Sequence, residues 1–253
     1  MVVETTTAHG EKTLVVSLAH RNWLVIWLAL LTAALAFMAI SEATAERKTT
    51  SFDEINVQRI NVIEPDGKPR VIISNRERMA GLYWGGKEYK HHSRDNGGML
   101  FFNDDGDEVG GMTFTSRKQG ESVGAGSALL FDQYKQDQTL GLIYEERDGQ
   151  RAAGMRVWDR PEQSLLPMIE LSDQASKAAS AEEREQIRAQ MVEKSKAYGP
   201  VAERFYAGKQ LGDAIVKLAD KQGRPRLLLK VAADGVATIE FLDEAGKVVR
   251  RIQ

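Results

Sequence analysis

The chain has no cysteine, only four histidines and six prolines in 253 residues, and nearly balanced charge, with 34 Lys+Arg against 36 Asp+Glu. Without cysteine there are no disulfides, iron–sulfur clusters, thiol catalysis or cysteine-ligated zinc. The absence says little about compartment, because a disulfide-free fold is stable on either side of a membrane once its core is large enough. A net charge of −2 leaves no basic stripe for a polyanion, so no nucleic-acid partner is expected. None of Asn22, Asn56, Asn61, Asn75, Asn96 and Asn103 opens an N-x-S/T sequon.

Most catalytic signatures are missing too. H-E-x-x-H, G-x-G-x-x-G and the phosphate-binding G-x-x-x-x-G-K-[ST] do not occur, and G-x-S-x-G occurs once, at Gly120–Gly124, between two strand-like runs rather than between a strand and a helix. Gly124-Ala125-Gly126-Ser127 begins like a nucleotide loop but meets Leu at position 129, and reads as a loop ahead of the strand SALLFDQY. His9 and His20 precede the apolar run, while the adjacent His91 and His92 would point apart on a strand and read as a surface loop. The densest acidic stretch, Asn103 to Glu108, fails the calcium-loop register: with Gly106 at position six, position one falls on Phe101. It reads as a solvated hairpin tip. No metal ligands and no cofactor are expected. Tyr83-Trp84-Gly85-Gly86 and Trp158 read as core or rim packing rather than as a sugar platform. One chemical possibility stays open: Glu64, Asp132, Glu145 and Asp159 fall at strand ends, where two carboxylates could meet as in glycoside hydrolysis.

What is present begins with eighteen uncharged residues, Trp23 to Ile40, WLVIWLALLTAALAFMAI. As a helix they would cover about 27 Å, close to the roughly 30 Å hydrocarbon core of a bilayer. A signal-peptide apolar region usually has about 7–15 residues, so length favours a permanent anchor, although Ala43-Thr44-Ala45 offers an A-x-A cleavage pattern. Trp23 and Trp27 suit the headgroup layer. Lys12 and Arg21 before the run balance Arg47 and Lys48 after it, so orientation follows instead from the tendency of large C-terminal domains to translocate. Ala29 with Ala33, and Thr32 with Ala36, have the small-xxx-small spacing of helix pairs, a spacing that also arises by chance in an alanine-rich span.

After a polar stretch the chain becomes short apolar runs separated by turn signals. INVIE and RVIIS, MLFFN and GGMTF, LGLIY and AAGMRVW, IVKLA and RLLLKV, ATIEFL and VVRRI each flank a glycine-bearing reversal and read as paired strands. Reversals at Gly67, Gly106 and Gly149 are nearly evenly spaced, but the flanking runs differ, which favours a meander over a true repeat. From Ser172 to about Gly208 the composition turns helical. Ser180 and Glu183 form a capping box, Ile187, Met191 and Tyr198 share a stripe, and Glu185/Arg188 and Glu193/Lys196 are spaced for ion pairs. Gly199-Pro200 ends that helix and is expected to open a short second one carrying Val201, Phe205 and Tyr206.

Ile60–Asn75, Asn96–Phe114 and Leu129–Gln138 carry a resemblance to uncharacterised bacterial proteins that have an N-terminal apolar segment and a glycine-punctuated β-domain. It covers roughly Phe52 to Pro161, implies a bacterial, extracytoplasmic setting and brings no catalytic residues with it.

The expectation is mainly β: a cytoplasmic segment 1–22, a transmembrane helix 23–40, a linker 41–51, and an antiparallel β-rich extracytoplasmic domain 52–253. Its architecture would be a meander, barrel or sandwich with a helical insertion at about 180–207. The expected role is a membrane-tethered binding or assembly module without catalysis, meeting the bilayer through Trp23–Ile40 and a protein through the helical insertion. The alternative is a membrane-bound hydrolase using strand-end carboxylates.

Overall fold

The computed structural model describes residues 2–6, 12–16, 18–43 and 49–253, with side chains at 22, 23, 25–38 and 49–253. The chain forms two compact units, Met1–Ile55 and Asn56–Gln253. The cleavage pattern beyond Ala43, His9, Arg47 and Lys48 lie outside the described residues, as do the side chains of Lys12, His20 and Arg21.

In the first unit, β1 (Val2–Thr6) pairs with β2 (Lys12–Val16) in an antiparallel hairpin, followed by α1 (Leu18–Ala43). Every described side chain of α1 is exposed. Trp23 and Trp27 lie one turn apart with ring centroids 5.5 Å from each other and ring planes tilted by 56°. The uninterrupted described stretch of the apolar run is Val25–Met38, and among the described residues no helix is long and apolar enough to cross a membrane.

The second unit begins with β3 (Arg59–Ile63), β4 (Pro69–Ser74), β5 (Leu82–Trp84), β6 (Lys87–Tyr89) and β7 (Gly97–Phe102). Next come β8 (Glu108–Gln119), β9 (Ser122–Asp132), β10 (Gln138–Arg147) and β11 (Gln150–Asp159). Two helices follow, α2 (Leu166–Lys177) and α3 (Ala181–Tyr198). The chain then closes with β12 (Ala202–Gln210), β13 (Asp213–Ala219), β14 (Pro225–Val231), β15 (Ala237–Leu242) and β16 (Val248–Ile252). Except for β5 and β6, which form a hairpin of their own, these strands build one twelve-stranded antiparallel sheet in which each strand lies beside its neighbour in sequence. The edges are β3 and β16. Of the three expected architectures this is the open meander, and all five expected hairpins are present with their predicted partners.

Five of the reversals use one turn with glycine in fourth place, and a sixth, at 133–137, makes the same two backbone bonds with Gln136 there and the positive φ at Lys135. At 64–68, 103–107, 220–224, 232–236 and 243–247 the first residue's carbonyl accepts from the fourth residue's N–H, and the first N–H donates to the fifth carbonyl. The glycine of these five has φ between +76° and +88°, a conformation that Cβ disfavours elsewhere. Asp220 and Asp243 strengthen two of these turns by accepting two backbone N–H bonds each.

Burial is concentrated at one end. Ile72, Leu100 and Phe102 pack with Ala80, and Met79 and Tyr83 lie against them. Trp84 and Tyr89 of the small hairpin pack with Ile169 of α2. Trp84 is thus a core residue, as expected of it.

Several local expectations need correction. Ser180 caps α3 by accepting from the Glu183 N–H, and Ile187 is buried on its stripe, but a separate helix, α2, precedes it. No second helix follows Pro200: residues 202–210 are β12, with Phe205 and Tyr206 pointing to opposite faces. The Ala, Glu and Lys of AERFYAGK favour helices, and pairing on both sides overrides that preference. Gly124–Ser127 lies within β9 rather than in a loop, with Gly126 paired between Thr115 and Glu145.

Candidate functional site

In an antiparallel sheet, directly opposed residues project from the same face, so the register identifies each face. One cross-strand row runs from Ile60 through Ile73, Met99, Met112 and Leu129 to Leu142. It continues through Met155, Ala207, Val216, Leu229 and Ile239 to Ile252. Each of the twelve strands contributes one residue, and all twelve are apolar. Two residues along the strands, a parallel row joins Val62, Val71, Phe101, Gly110, Phe131 and Leu140. It extends through Val157, Phe205, Leu218, Leu227 and Phe241 to Arg250 at the edge. Gly110 breaks this row sterically: a Cβ there, at φ +133°, would lie 2.1 Å from the Leu130 carbonyl oxygen. On the other flank Phe114, Tyr144, Ala153, Ala214, Val231 and Ala237 extend the same face, with Lys209 as its charged member.

This face is uncovered. Leu142 is 51% exposed, Phe114 54% and Val231 47%, and Ile60, Ile73, Phe131, Leu218 and Ile252 are also exposed. Two shallow apolar troughs mark it. One of about 580 Å³ runs over β13–β16 beside Val216, Leu229 and Ile239, and one of about 410 Å³ over β8–β11 beside Met112, Leu142 and Met155.

The opposite face is occupied by its own side chains. Tyr206, buried, lies over Gly154 and Gly208, where an added Cβ would come within 2.9 Å of its ring or hydroxyl. The Arg156 guanidinium and the Lys217 ammonium stand 5.5 and 5.9 Å from that ring's centroid, and Glu203 binds Lys217 at 2.5 Å. Glu240, buried, accepts from Arg251 at 2.8–2.9 Å. Toward β4 and β7 the small hairpin covers this face through Ala80 and Tyr83.

On this closed face, Arg94, Glu108, Thr113, Leu130, Asp132 and Gln138 line a cavity of about 220 Å³. Arg94 clamps both Glu108 oxygens at 2.6 Å and donates to the carbonyls of Ala80 and Gly81. Burial pushes the Glu108 carboxyl up, against the pull of Arg94. Asp132 has no such clamp: its buried Oδ1 has no hydrogen-bond partner, and burial, aided by Asp137 and Glu108, raises its carboxyl to about 7. His92 is pushed down by partial burial and by Arg94.

Of the four strand-end carboxylates, Asp132 alone enters this cavity. Glu64 binds Arg70, Glu145 lies 3.4 Å from Arg156, and Asp159 binds Arg204. The acidic hairpin at 103–108 is the solvated tip expected at Asp104 and Asp105 but not at Asp107. Asp107 is 1% exposed, accepts the Gly85 N–H at 2.7 Å and binds Lys135, which also reaches Asp105 at 2.9 Å. Its carboxylate is enclosed because Lys135 and Gly85 arrive from other loops, a meeting that local composition does not signal. Of the two adjacent histidines, His91 is packed, 3.2 Å from Asp173 of α2, while His92 is an exposed loop residue as expected. No group of metal-binding side chains occurs among the described residues. Arg94 and Glu108 gave no sequence signal as cavity residues, since their pairing depends on the fold alone.

No protein-family model, no curated protein and no solved structure matches this chain.

Proposed function

We propose that this chain is a membrane-tethered binding or assembly module whose working surface is the uncovered apolar face of the twelve-stranded sheet. The observation that carries the reading is the unbroken row of twelve apolar residues, one per strand, left without a covering layer. Monomers rarely leave an apolar patch beyond about 300–600 Å² uncovered unless it meets something. The tether is the run Trp23–Ile40, apolar around the whole circumference of α1, as a helix immersed in lipid would be. The extracytoplasmic location follows from the size of the C-terminal unit and not from flanking charge. The sheet face, rather than the helical insertion, is the surface assigned to a partner, because α3 exposes the isolated Val192 where the sheet exposes a continuous field.

Two measurements test this. Carbonate washing of membranes should leave the full chain in the pellet, with detergent releasing it; release by carbonate would remove the tether. Protease added to spheroplasts should degrade the C-terminal unit, and protection would reverse the topology.

The hydrolase reading keeps one supporting observation, the unclamped Asp132 in its polar cavity. Its second acid, Glu108, is held by Arg94. On this reading the full chain would cleave a glycoside with a pH–rate profile breaking near 7, and Asp132→Asn would abolish the activity. Turnover unchanged in Asp132→Asn would dismiss it.

A further inference from the structure

We infer that the apolar sheet face is covered by a second copy of this chain, the two sheets packing face to face about a two-fold axis. The inference rests on the reading of that face as the working surface and names its occupant.

Size is the first argument. Twelve strands about 4.8 Å apart span about 53 Å, and three side-chain rows about 6.8 Å apart make a band of roughly 20 Å, so the face offers on the order of 1,000 Å². A stable interface takes about 800 Å² per partner, and obligate homodimers bury about 2,000 Å² or more in total. Two of these faces together reach that range.

Charge is the second. A two-fold interface sets a patch against itself, so every charge on it approaches its own sign. Within its three rows this face keeps charge to Lys209 on its flank and Arg250 at its edge, and beyond that flank Glu146 and Arg151 neutralise each other in an ion pair. The opposite face of the same strands carries Arg156, Lys217, Glu203, Glu240 and Arg251, each held in an ion pair. Three rows that hold two charges over twelve strands tolerate their own copy, and their apolar excess matches the composition of homodimer interfaces.

Shape is the third. Neighbouring strands rotate by about 20–25°, which over twelve strands turns the apolar face away from any single plane. A flat bilayer surface cannot follow such a face. A second sheet of the same hand and length can, at the roughly 10 Å spacing of stacked sheets. Tethering to one membrane would raise the effective concentration of the copies.

The absence of cysteine makes the test clean, because one introduced thiol is then the only thiol. Full-length chains carrying Leu142→Cys, Leu229→Cys or, on the opposite face, Lys230→Cys would be expressed in membranes and treated with a short bis-maleimide. The masses of crosslinked products would be read, together with the rate of labelling by a polar maleimide. The inference expects products of two chains from both Leu142→Cys and Leu229→Cys, none from Lys230→Cys, and slower labelling at the two face positions. Light scattering of the unmodified chain in mild detergent should give the protein mass of two copies, reduced to one by Leu142→Arg combined with Leu229→Arg. Protected face thiols that crosslink to a product of another mass, or to none, would overturn the second copy while leaving a binding surface in place. Face thiols labelled as fast as Lys230→Cys would overturn both. The two face positions, 87 residues apart in sequence, guard against local misfolding of either variant.

Discussion

The two faces of one sheet are built from the same strands and have opposite chemistry. On the closed face, at its far end, Tyr206 spreads over two glycines between Arg156 and Lys217, and Glu240 is buried against Arg251. At its near end a hairpin and α2 supply a small core around Ile72, Leu100, Trp84 and Ile169. On the open face nothing among the described residues of this unit overlies Leu142, Leu229 or Phe241, and the rows meet solvent. Each strand satisfies its backbone within the sheet either way, so hydrogen bonding does not distinguish the faces. Burial does, and burial is missing where apolar side chains are most regular. The closed face therefore stabilises the unit, and the open face is available for association.

That division can be broken by substitution. Ile72, fully buried on the closed side, should cost about 4 kcal/mol when changed to Ala, in the range of large-to-small core changes. Leu142→Ala, measured with the chain monomeric, should cost well under about 1 kcal/mol, because its side chain is already half in water. Denaturant midpoints compare the two directly, and equal costs would mean that the open face is packed within one chain.

Next in size is Arg94→Ala, which strands the buried Glu108 carboxylate that Arg94 clamps. Breaking a buried pair from one side costs about 3 kcal/mol or more, and Glu108→Gln in the same background should recover part of it. Without recovery, Arg94 would be acting through its bonds to Ala80 and Gly81.

Asp132 sharpens the comparison through pH. Its carboxyl stands at about 7 in the fold, against about 3.9 in an unfolded chain. The folded state holds the proton more tightly, so its contribution to stability is complete below about pH 4, declines as pH rises, and is gone above about 7. Asp132→Asn has no such dependence and should gain on the parent by about 3 kcal/mol between pH 4 and 7. Thermal midpoints of both chains across that window provide the measurement, and parallel curves would place Asp132 in water. The smallest effect belongs to Ser180→Ala, which removes the cap on α3 at about 1 kcal/mol; loss of helical circular dichroism without change at the sheet would confine it there.

Much of the fold was legible along the chain. The five hairpins could be read because each turn carries a glycine that needs positive φ, and each flank has the short β-rich composition of a strand. The cap at Ser180 was equally legible, since Glu183 follows three residues later. What misled was composition without contact: AERFYAGK as helix, Gly124–Ser127 as loop, and Asp107 as part of a solvated tip. In each, a neighbour distant in sequence decided the outcome. The cavity was half visible, with Asp132 among the strand-end acids and Arg94 and Glu108 unmarked.

By itself, then, the amino-acid sequence determined the alternation of strand and turn and the presence of one long apolar run, because backbone preference and hydropathy act over a few residues. Only the tertiary structure decided that every second apolar residue of twelve strands falls into register on one face, and that the hairpin and the Tyr206 cluster fill the other. Register joins residues from one end of the unit to the other, and a face becomes a surface only when the strands are laid side by side.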